Sequence, residues 1–321
     1  MMRKFSTRLV DARSRSLRIH RRATTLFAGG LAVAAWSSAF IGIGYALREM
    51  SPGAIVLLRF LIASSCFLFL AVVGWVKWPT WNDLLPLGML GLLGHGIYQL
   101  ALSIAQTGIP AGTASVLIST VPVFSALLAI PALGERISSR GWMGIVFAFA
   151  GVLVVNVTKS HALLFEPMAL VGLVAAAASA TYFVLQKPWL SRYRAIDLTA
   201  YGVWAGTLGM LVFLRDLPDA LMSASWSTLL SVAYLAIVPT IVGYSLWSFA
   251  LARTSVSSVT SLLYLQPAMT FFSAWLALGE VPAPSAVLGG VLALVGVALV
   301  NTSRSSTAQK NTSLEDEDTP S

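Results

Sequence analysis

The stretch PVFSALLAIPALGE at residues 122–135 returns as PAMTFFSAWLALGE at residues 267–280, 145 positions later. The match extends without a gap over residues 103–156 and 248–301, and about 30% of the paired positions are identical. Apolar composition alone would give leucine and valine matches, but not a proline, three glycines, a glutamate and an asparagine in register. The chain is therefore expected to hold two copies of one structural unit.

The composition around this repeat is that of a membrane protein. Hydrophobic residues make up 57% of the chain and charged residues only 11%, with a mean hydropathy of +0.79. A soluble chain usually has about 25% charged residues, so this one cannot cover a water-facing surface. Apolar stretches close to the ~20 residues that cross a bilayer predict ten spans. They are residues 24–46, 53–75, 84–105, 111–133, 141–157, 168–186, 197–214, 228–250, 256–278 and 284–301.

Each copy of the repeat supplies five of these spans. Because five is odd, the second copy must enter the membrane from the opposite side. The predicted fold class is an all-α membrane protein with ten transmembrane helices in two inverted five-helix repeats. The predicted regions are a basic tail (1–23), a first repeat (24–157), a linker (158–167), a second repeat (168–301) and an acidic tail (302–321). Both tails are expected to be mobile.

Positive charge predicts the orientation of the chain. If both termini are cytoplasmic, the inner segments hold 17 lysines and arginines. The outer loops then hold only Arg48, Lys159 and Arg215, while Arg59 lies inside a span. The basic tail alone supplies eight of the 17, but the loops lean the same way.

Several motifs accompany the paired halves. The first span contains Trp36-Ser37-Ser38-Ala39-Phe40, the second contains Leu58-Arg59-Phe60, and both halves carry a Pro…Leu-Gly-Glu…Gly…Gly segment. In this order and spacing they resemble the drug/metabolite transporter superfamily, in its EamA-like family, over about residues 24–301. The resemblance implies a ten-helix inverted-repeat fold, a bacterial inner-membrane location and export of amino acids, related metabolites or toxic compounds. The second repeat has Ala178-Ser179-Ala180-Thr181-Tyr182 in place of the Trp-Ser motif, so the halves need not line a site equally.

Inverted repeats favour secondary transport, because two bundles that face opposite ways can rock about a shared site and expose it to each side in turn. The sequence has no Walker-type phosphate-binding loop, so ATP is not expected to drive the chain directly. Carboxylates occur only near span ends and in loops, which leaves facilitation, exchange or coupling through His95. The predicted function is export of amino acids or related small metabolites by alternating access. The alternative is a multidrug or toxic-compound exporter, which an uncharged aromatic cavity would favour.

An intramembrane enzyme and a channel fit the sequence less well. The chain lacks His-Glu-x-x-His, Gly-x-Ser-x-Gly and paired intramembrane aspartates, so it is not expected to be an enzyme. A channel has no need of inverted symmetry. The single cysteine, Cys66, precludes a multi-thiolate metal site, and no cofactor is expected. The expected partners are a small-molecule substrate and the lipid bilayer, with no nucleic acid, because no polar domain is available to bind it.

Polar and aromatic side chains at mid-depth are costly unless they face protein or a wet cavity. The predicted substrate-binding residues are Trp36, His95, Tyr98, Gln99, Ser115, Ser119, Tyr182, Tyr244, Trp247, Tyr264 and Gln266. Among them, His95, Tyr98 and Gln99 recur at helical spacing and share one face of the third span. The alternative for each residue is core packing or a hydrogen bond between helices.

Arg59 and two prolines are separate candidates. Arg59 could extend to the membrane interface, or it could hold a substrate carboxylate. Pro122 and Pro267 each remove one amide donor and free the carbonyl four residues back. These prolines are predicted hinges, with a passive kink as the alternative.

Helix ends in the two repeats carry matching features. Glu135 and Glu280 follow glycines and are expected to cap or gate the helix ends. Glycines spaced by seven residues, 144 and 151 in one repeat and 289 and 296 in the other, predict close packing of the fifth and tenth helices. A homodimer surface is one use for that packing.

The topology can be tested by cysteine accessibility, since the chain has a single native thiol. In a Cys66→Ser background, cysteines placed at Ser6 and at Ser313 are both expected to react with an impermeant maleimide only from the cytoplasmic side. Reaction from opposite faces would contradict an even number of spans.

Overall fold

The computed structural model describes residues 2–134, 137–157 and 167–278, together with residues 288, 291, 292, 295, 296 and 299. Within these residues the only regular structure is helical, which confirms the all-α prediction for the described part of the chain. The α-helices are α1 (Met2–Ala46), α2 (Pro52–Val72), α3 (Leu84–Gly91), α4 (Tyr98–Ala105), α5 (Ala111–Ile118), α6 (Val121–Leu133), α7 (Ser139–Val157), α8 (Pro167–Trp189), α9 (Ala195–Met210), α10 (Leu217–Ser223), α11 (Trp226–Leu235), α12 (Tyr244–Arg253), α13 (Val256–Thr260) and α14 (Gln266–Leu278).

Seven helical stretches in the described residues are long and apolar enough to cross a membrane. They are Ala23–Ala46, Pro52–Val72, Trp81–Ala105, Ala111–Leu133, Pro167–Trp189, Ala195–Phe213 and Trp226–Arg253. The predicted fifth span is helix α7, and the predicted ninth runs through α13 and α14. Most of the predicted tenth span, the acidic tail and the predicted capping residues Glu135 and Glu280 lie outside the described residues.

The amino-terminal segment differs from the predicted mobile tail. Helix α1 runs from Met2 to Ala46 without a break, so residues 2–22 continue the first span as helix. The physical reason is in the sequence, which has no proline or glycine before Gly29 and carries eight lysines and arginines in residues 1–22, which are good helix formers. Nothing in this stretch stops a helix that leaves the membrane.

Two spans are broken at matching places. The fourth span breaks at Ser119 and Thr120, and Pro122 lies in the first turn of α6. In the predicted ninth span a 3₁₀ turn at Ser261–Leu265 precedes α14, whose second residue is Pro267. Each proline therefore lies in the first turn of a new helix, where its missing amide is tolerated, so neither proline kinks a continuous helix. The hinge role of the two prolines stays a prediction.

Two further spans contain π-helical turns at matching places. They are the first π segment, Leu92–Ile97, and the second π segment, Ala236–Gly243. With the 145-residue shift, Leu92–Ile97 falls on residues 237–242, inside the second segment. A π turn widens the helix and loosens its hydrogen-bond ladder, and such turns are frequent at functional sites.

Helix contacts between the repeats come in exchanged pairs. Helix α1 packs on α14 and α12, and α8, the counterpart of α1, packs on α6 and α4. Helix α2 packs on its own counterpart, α9. Each repeat thus contributes the same helices to the interface, and the buried core forms between the repeats.

A close approach of backbone to backbone in this interface is between Gly91 of α3 and Gly202 of α9. A Cβ atom on Gly91 would lie 2.7 Å from the Gly202 Cα and 3.0 Å from its carbonyl oxygen. These are backbone atoms, so no side-chain rotation could relieve the clash. Gly88, one turn earlier on α3, has nothing within 4 Å of such an atom.

Gly91→Ala is expected to lower the unfolding temperature of the detergent-solubilised protein, because overpacking typically costs about 1–3 kcal/mol. Gly88→Ala is the matched control and should leave the temperature unchanged or raise it. A thermal scan of tryptophan fluorescence gives both values. Equal midpoints for the two variants would contradict the close α3–α9 packing.

Candidate functional site

Six aromatic rings from both repeats meet at the centre of the bundle and form the aromatic cluster. Its members are Trp36, His95, Tyr182, Phe183, Tyr244 and Trp247. The Trp36 ring lies 5.0 Å from Tyr244 and 4.9 Å from Trp247, between ring centroids. Its indole nitrogen donates to the carbonyl oxygen of Pro239 at 2.9 Å. Trp36 of the first repeat is thereby fixed to the second π segment.

His95 lies within the first π segment. Its ring centroid is 4.3 Å from that of Tyr244 and 5.2 Å from that of Tyr182. The side chain is fully buried, and neither ring nitrogen has a hydrogen-bond partner among the described residues. Room for the ring comes from Gly202, where a Cβ would lie 2.5 Å from the His95 Cε1 atom.

A chain of polar side chains borders the aromatic cluster, and we call it the Arg59 chain. Arg59 donates from Nε to the Thr240 hydroxyl at 2.5 Å and from Nη1 to the Gln99 Oε1 at 3.1 Å. Gln99 donates to the Tyr244 hydroxyl at 3.3 Å, and that hydroxyl donates to the Gly94 carbonyl at 3.4 Å. Arg59 is only 1% exposed, so the interpretation that it extends to the membrane interface is wrong.

The broken helices carry the remaining predicted residues. Ser119 donates to the carbonyl of Leu263 at 3.3 Å. Pro267 has no amide for this carbonyl, which accepts instead from the backbone amide of Gln266. Ser115 donates within its own helix, to Gly112. Tyr264 and Gln266 are fully buried, and their side-chain polar atoms have no partners among the described residues.

All eleven predicted substrate-binding residues are buried in the interior. Helix α1 joins the aromatic cluster to the residues of the broken helices. Trp36 belongs to the aromatic cluster, and the hydroxyl of Ser37 approaches the Gln266 carbonyl at 3.4 Å. Tyr98 belongs to the same core as Trp36. In this conformation the residues contact one another and are shielded from solvent.

Polar contacts join the repeats at both ends of the bundle. The first end cluster consists of Asp83, Arg192, Tyr193, Arg194 and Asp197. Arg192 pairs with Asp83 of the first repeat at 2.8 Å, while Arg194 pairs with Asp197 of its own repeat at 2.7 Å. The backbone amide of Lys77, in the first repeat, donates to Asp197 at 3.0 Å.

The second end cluster consists of Glu49, Ser225 and Thr228. It lies at the other end of the bundle, because α2 crosses between Glu49 and the first end cluster. Glu49 accepts from the Ser225 amide at 2.7 Å and from its hydroxyl at 3.0 Å. These donors lower the pKa of Glu49 below its usual value. The contact is therefore present at neutral pH and weakens as pH falls through that lowered pKa.

Sequence reasoning missed two members of the site. Thr240, the partner of Arg59, follows Pro239 inside an apolar span, and that proline was the available signal for an irregular, functional turn. Phe183 carried no such signal, because a phenylalanine in an apolar run cannot be told from ordinary core.

A bundle of membrane-spanning helices that encloses a polar and aromatic site between two repeats has the architecture of a membrane transporter. The sequence profile of the EamA-like transporter family matches residues 24–157 and 167–302. The chain belongs to this family, within the drug/metabolite transporter superfamily. It is a multi-pass integral membrane protein and a transporter, not an enzyme.

Relatives match over most of their length. An uncharacterized transporter of Bacillus subtilis, YdfC, is 34% identical over 83% of this chain and 87% of its own. A probable terminal-alkyne amino-acid exporter of Streptantibioticus cattleyicolor is 36% identical over 84% and 91%. A probable amino-acid metabolite efflux pump of Escherichia coli is 28% identical over 83% and 91%. One crystal structure shares the fold, with a TM-score of 0.69 at 20% identity over 87% of this chain and 96% of that chain.

Tyr244→Phe is expected to slow transport while leaving the ring contacts in place. The variant removes the hydroxyl that accepts from Gln99 and donates to Gly94. One hydrogen bond contributes about 1 kcal/mol, so a roughly threefold to tenfold loss of rate is expected. Tyr234→Phe is the control, because the Tyr234 hydroxyl contacts Ser38, which does not belong to the Arg59 chain. Equal rates for the two variants in vesicles would argue against a role for the Arg59 chain.

Proposed function

We propose that the protein exports amino acids or related small metabolites from the cytoplasm by alternating access, without ATP. The ten spans would form two inverted repeats in the bacterial inner membrane, with both termini cytoplasmic. The observation that carries the proposal is the buried site, to which matching elements of both repeats contribute. The two relatives whose names include amino acids support this class of cargo.

The end clusters support alternating access. Contacts between the repeats lie at both ends, and the central residues are buried. Of the two ion pairs in the first end cluster, only Arg192–Asp83 joins the repeats, since Arg194 pairs with Asp197 of its own repeat. Arg192 is 58% exposed although Asp83 is buried, and an ion pair with a solvated partner typically contributes about 1 kcal/mol. Contacts this weak can open at one end without unfolding the bundle. Opening each end in turn would expose the central site to one side at a time.

The end clusters also have corresponding positions in the repeat. Thr80 and Ser225 are 145 residues apart, and each immediately precedes a tryptophan that begins a helical span. Thr80 donates to Asp83 at one end, and Ser225 donates to Glu49 at the other. This is the relation expected if the second repeat is inverted with respect to the first.

The prolines fit a hinge role within this proposal. Pro122 and Pro267 lie at the starts of α6 and α14, beside interruptions of the helical ladder. A break of this kind lets the outer half of a span move relative to the inner half. The hydrogen bond from Ser119 to Leu263 would hold the two breaks together as the ends open.

A resistance screen tests the cargo class. Overexpression in a sensitive bacterial strain is expected to protect against toxic amino-acid analogues and not against cationic dyes, relative to an empty vector. Protection against the dyes alone would favour the multidrug alternative, to which the aromatic cluster lends some support.

Counterflow in proteoliposomes tests the mechanism. A carrier that alternates between two states exchanges labelled for unlabelled cargo faster than it releases cargo into empty vesicles. Efflux that is insensitive to cargo on the opposite side would point to a channel and overturn alternating access.

A further inference from the structure

Arg59 is a positive charge with no acid beside it. It is 1% exposed, its contacts are the neutral side chains of Thr240 and Gln99, and its Nη2 atom is buried without a partner among the described residues. No aspartate or glutamate of the described residues forms an ion pair with it. An uncompensated buried charge is strongly destabilising, and charged residues inside membrane spans usually mark a substrate or ion path.

The guanidinium contacts residues in or next to each of the two π segments. Thr240 belongs to the second π segment, and Gln99 lies two residues after the first. With the 145-residue shift, Gln99 and Tyr244 are equivalent, and their side chains are hydrogen-bonded to each other. Arg59 therefore contacts the site close to where the two repeats meet, and not at its edge.

Arg59 breaks the symmetry of the repeats. Counted from the start of each helix, Arg59 is the eighth residue of α2 and Gly202 is the eighth residue of the counterpart helix α9, a shift of 143 residues here and not 145. Arg59 contacts Thr240, and Gly202 contacts His95, the residue equivalent to Thr240. The structural unit thus does not need an arginine at this place, since one copy is built with a glycine. The charge belongs to one half only, as a single anion site would require.

We propose that Arg59 binds the carboxylate of the cargo, so that the substrates are small organic molecules with a carboxylate, amino acids among them. Thr240 and Gln99 hold the guanidinium through Nε and Nη1, and the Nη2 donor is left for the ligand. A guanidinium with positioned donors matches a carboxylate better than an ammonium group does. This inference rests on the proposed export of amino acids and deepens it by naming the group that is recognised.

The test compares amino acids with their carboxamides, which differ only at the carboxylate. Leucine, phenylalanine, threonine and propargylglycine, each against its amide, are assayed by counterflow with the full-length protein. Loss of one charge-assisted hydrogen bond should reduce kcat/KM for the amides by about 10- to 100-fold. Arg59→Gln should remove this preference, with the amino acid falling to the level of its amide. Arg59→Lys should retain part of it, because the charge remains without the planar fork.

Arg215→Gln is the matched control, since Arg215 is exposed, and it should keep the full preference. Ligand-induced thermal stabilisation of the wild type, by the amino acids and not the amides, gives a readout that does not depend on the variants folding. Equal handling of acids and amides by the wild type, or an unchanged preference in Arg59→Gln, would overturn the carboxylate site while leaving export of amino-acid derivatives intact. If no member of the panel moves or stabilises the wild type, the proposed function itself fails.

Discussion

In hydrocarbon, each backbone amide and carbonyl must find a partner within the protein, and the site of this transporter is built where that requirement is hardest to meet. At the two π segments, the carbonyls of Gly94 and Pro239 accept from Tyr244 and Trp36, and these two carbonyls are equivalent under the 145-residue shift. At the broken helices, the Leu263 carbonyl accepts from a serine of the other repeat. The same side chains therefore satisfy the irregular backbone and join the two halves.

Under the proposed alternating access, near-symmetry of the halves would give the bundle two states of similar energy, and departures from symmetry would allow one class of cargo to be selected. Contacts between helices are exchanged in pairs, so opening one end breaks contacts that resemble those at the other. The end clusters differ in strength, because one contains ion pairs and the other a glutamate bonded to Ser225. Such a difference biases which end opens more readily without preventing either.

The sequence was sufficient to predict the all-helical fold, the two repeats and the class of protein. These follow from long apolar stretches and from residues that match between the repeats, such as Pro122 and Pro267. It also identified Trp36, His95 and Tyr244 as interior residues, since polar atoms at mid-depth need partners. It could not predict the π turns, because their effect is a one-residue shift in hydrogen bonding that leaves hydropathy unchanged. The burial of Arg59 could not be predicted either. Its position near a span end is compatible with contact to the membrane interface, but neighbouring side chains bury it completely.

The energetic contrast between the centre and the ends shapes the transport cycle. At one end, the arginines of the ion pairs are exposed, so water and salt screen their charges and lower the cost of separating Arg192 from Asp83. At the centre, the Arg59 charge has been removed from water and has only neutral partners among the described residues, so this state is costly while the site is empty. Under the proposed carboxylate site, cargo bound at Arg59 would lower this cost, and most of all when both ends are shut and water is excluded. Cargo would therefore stabilise the closed intermediate between the two open states, which is the requirement for a carrier that moves faster loaded than empty.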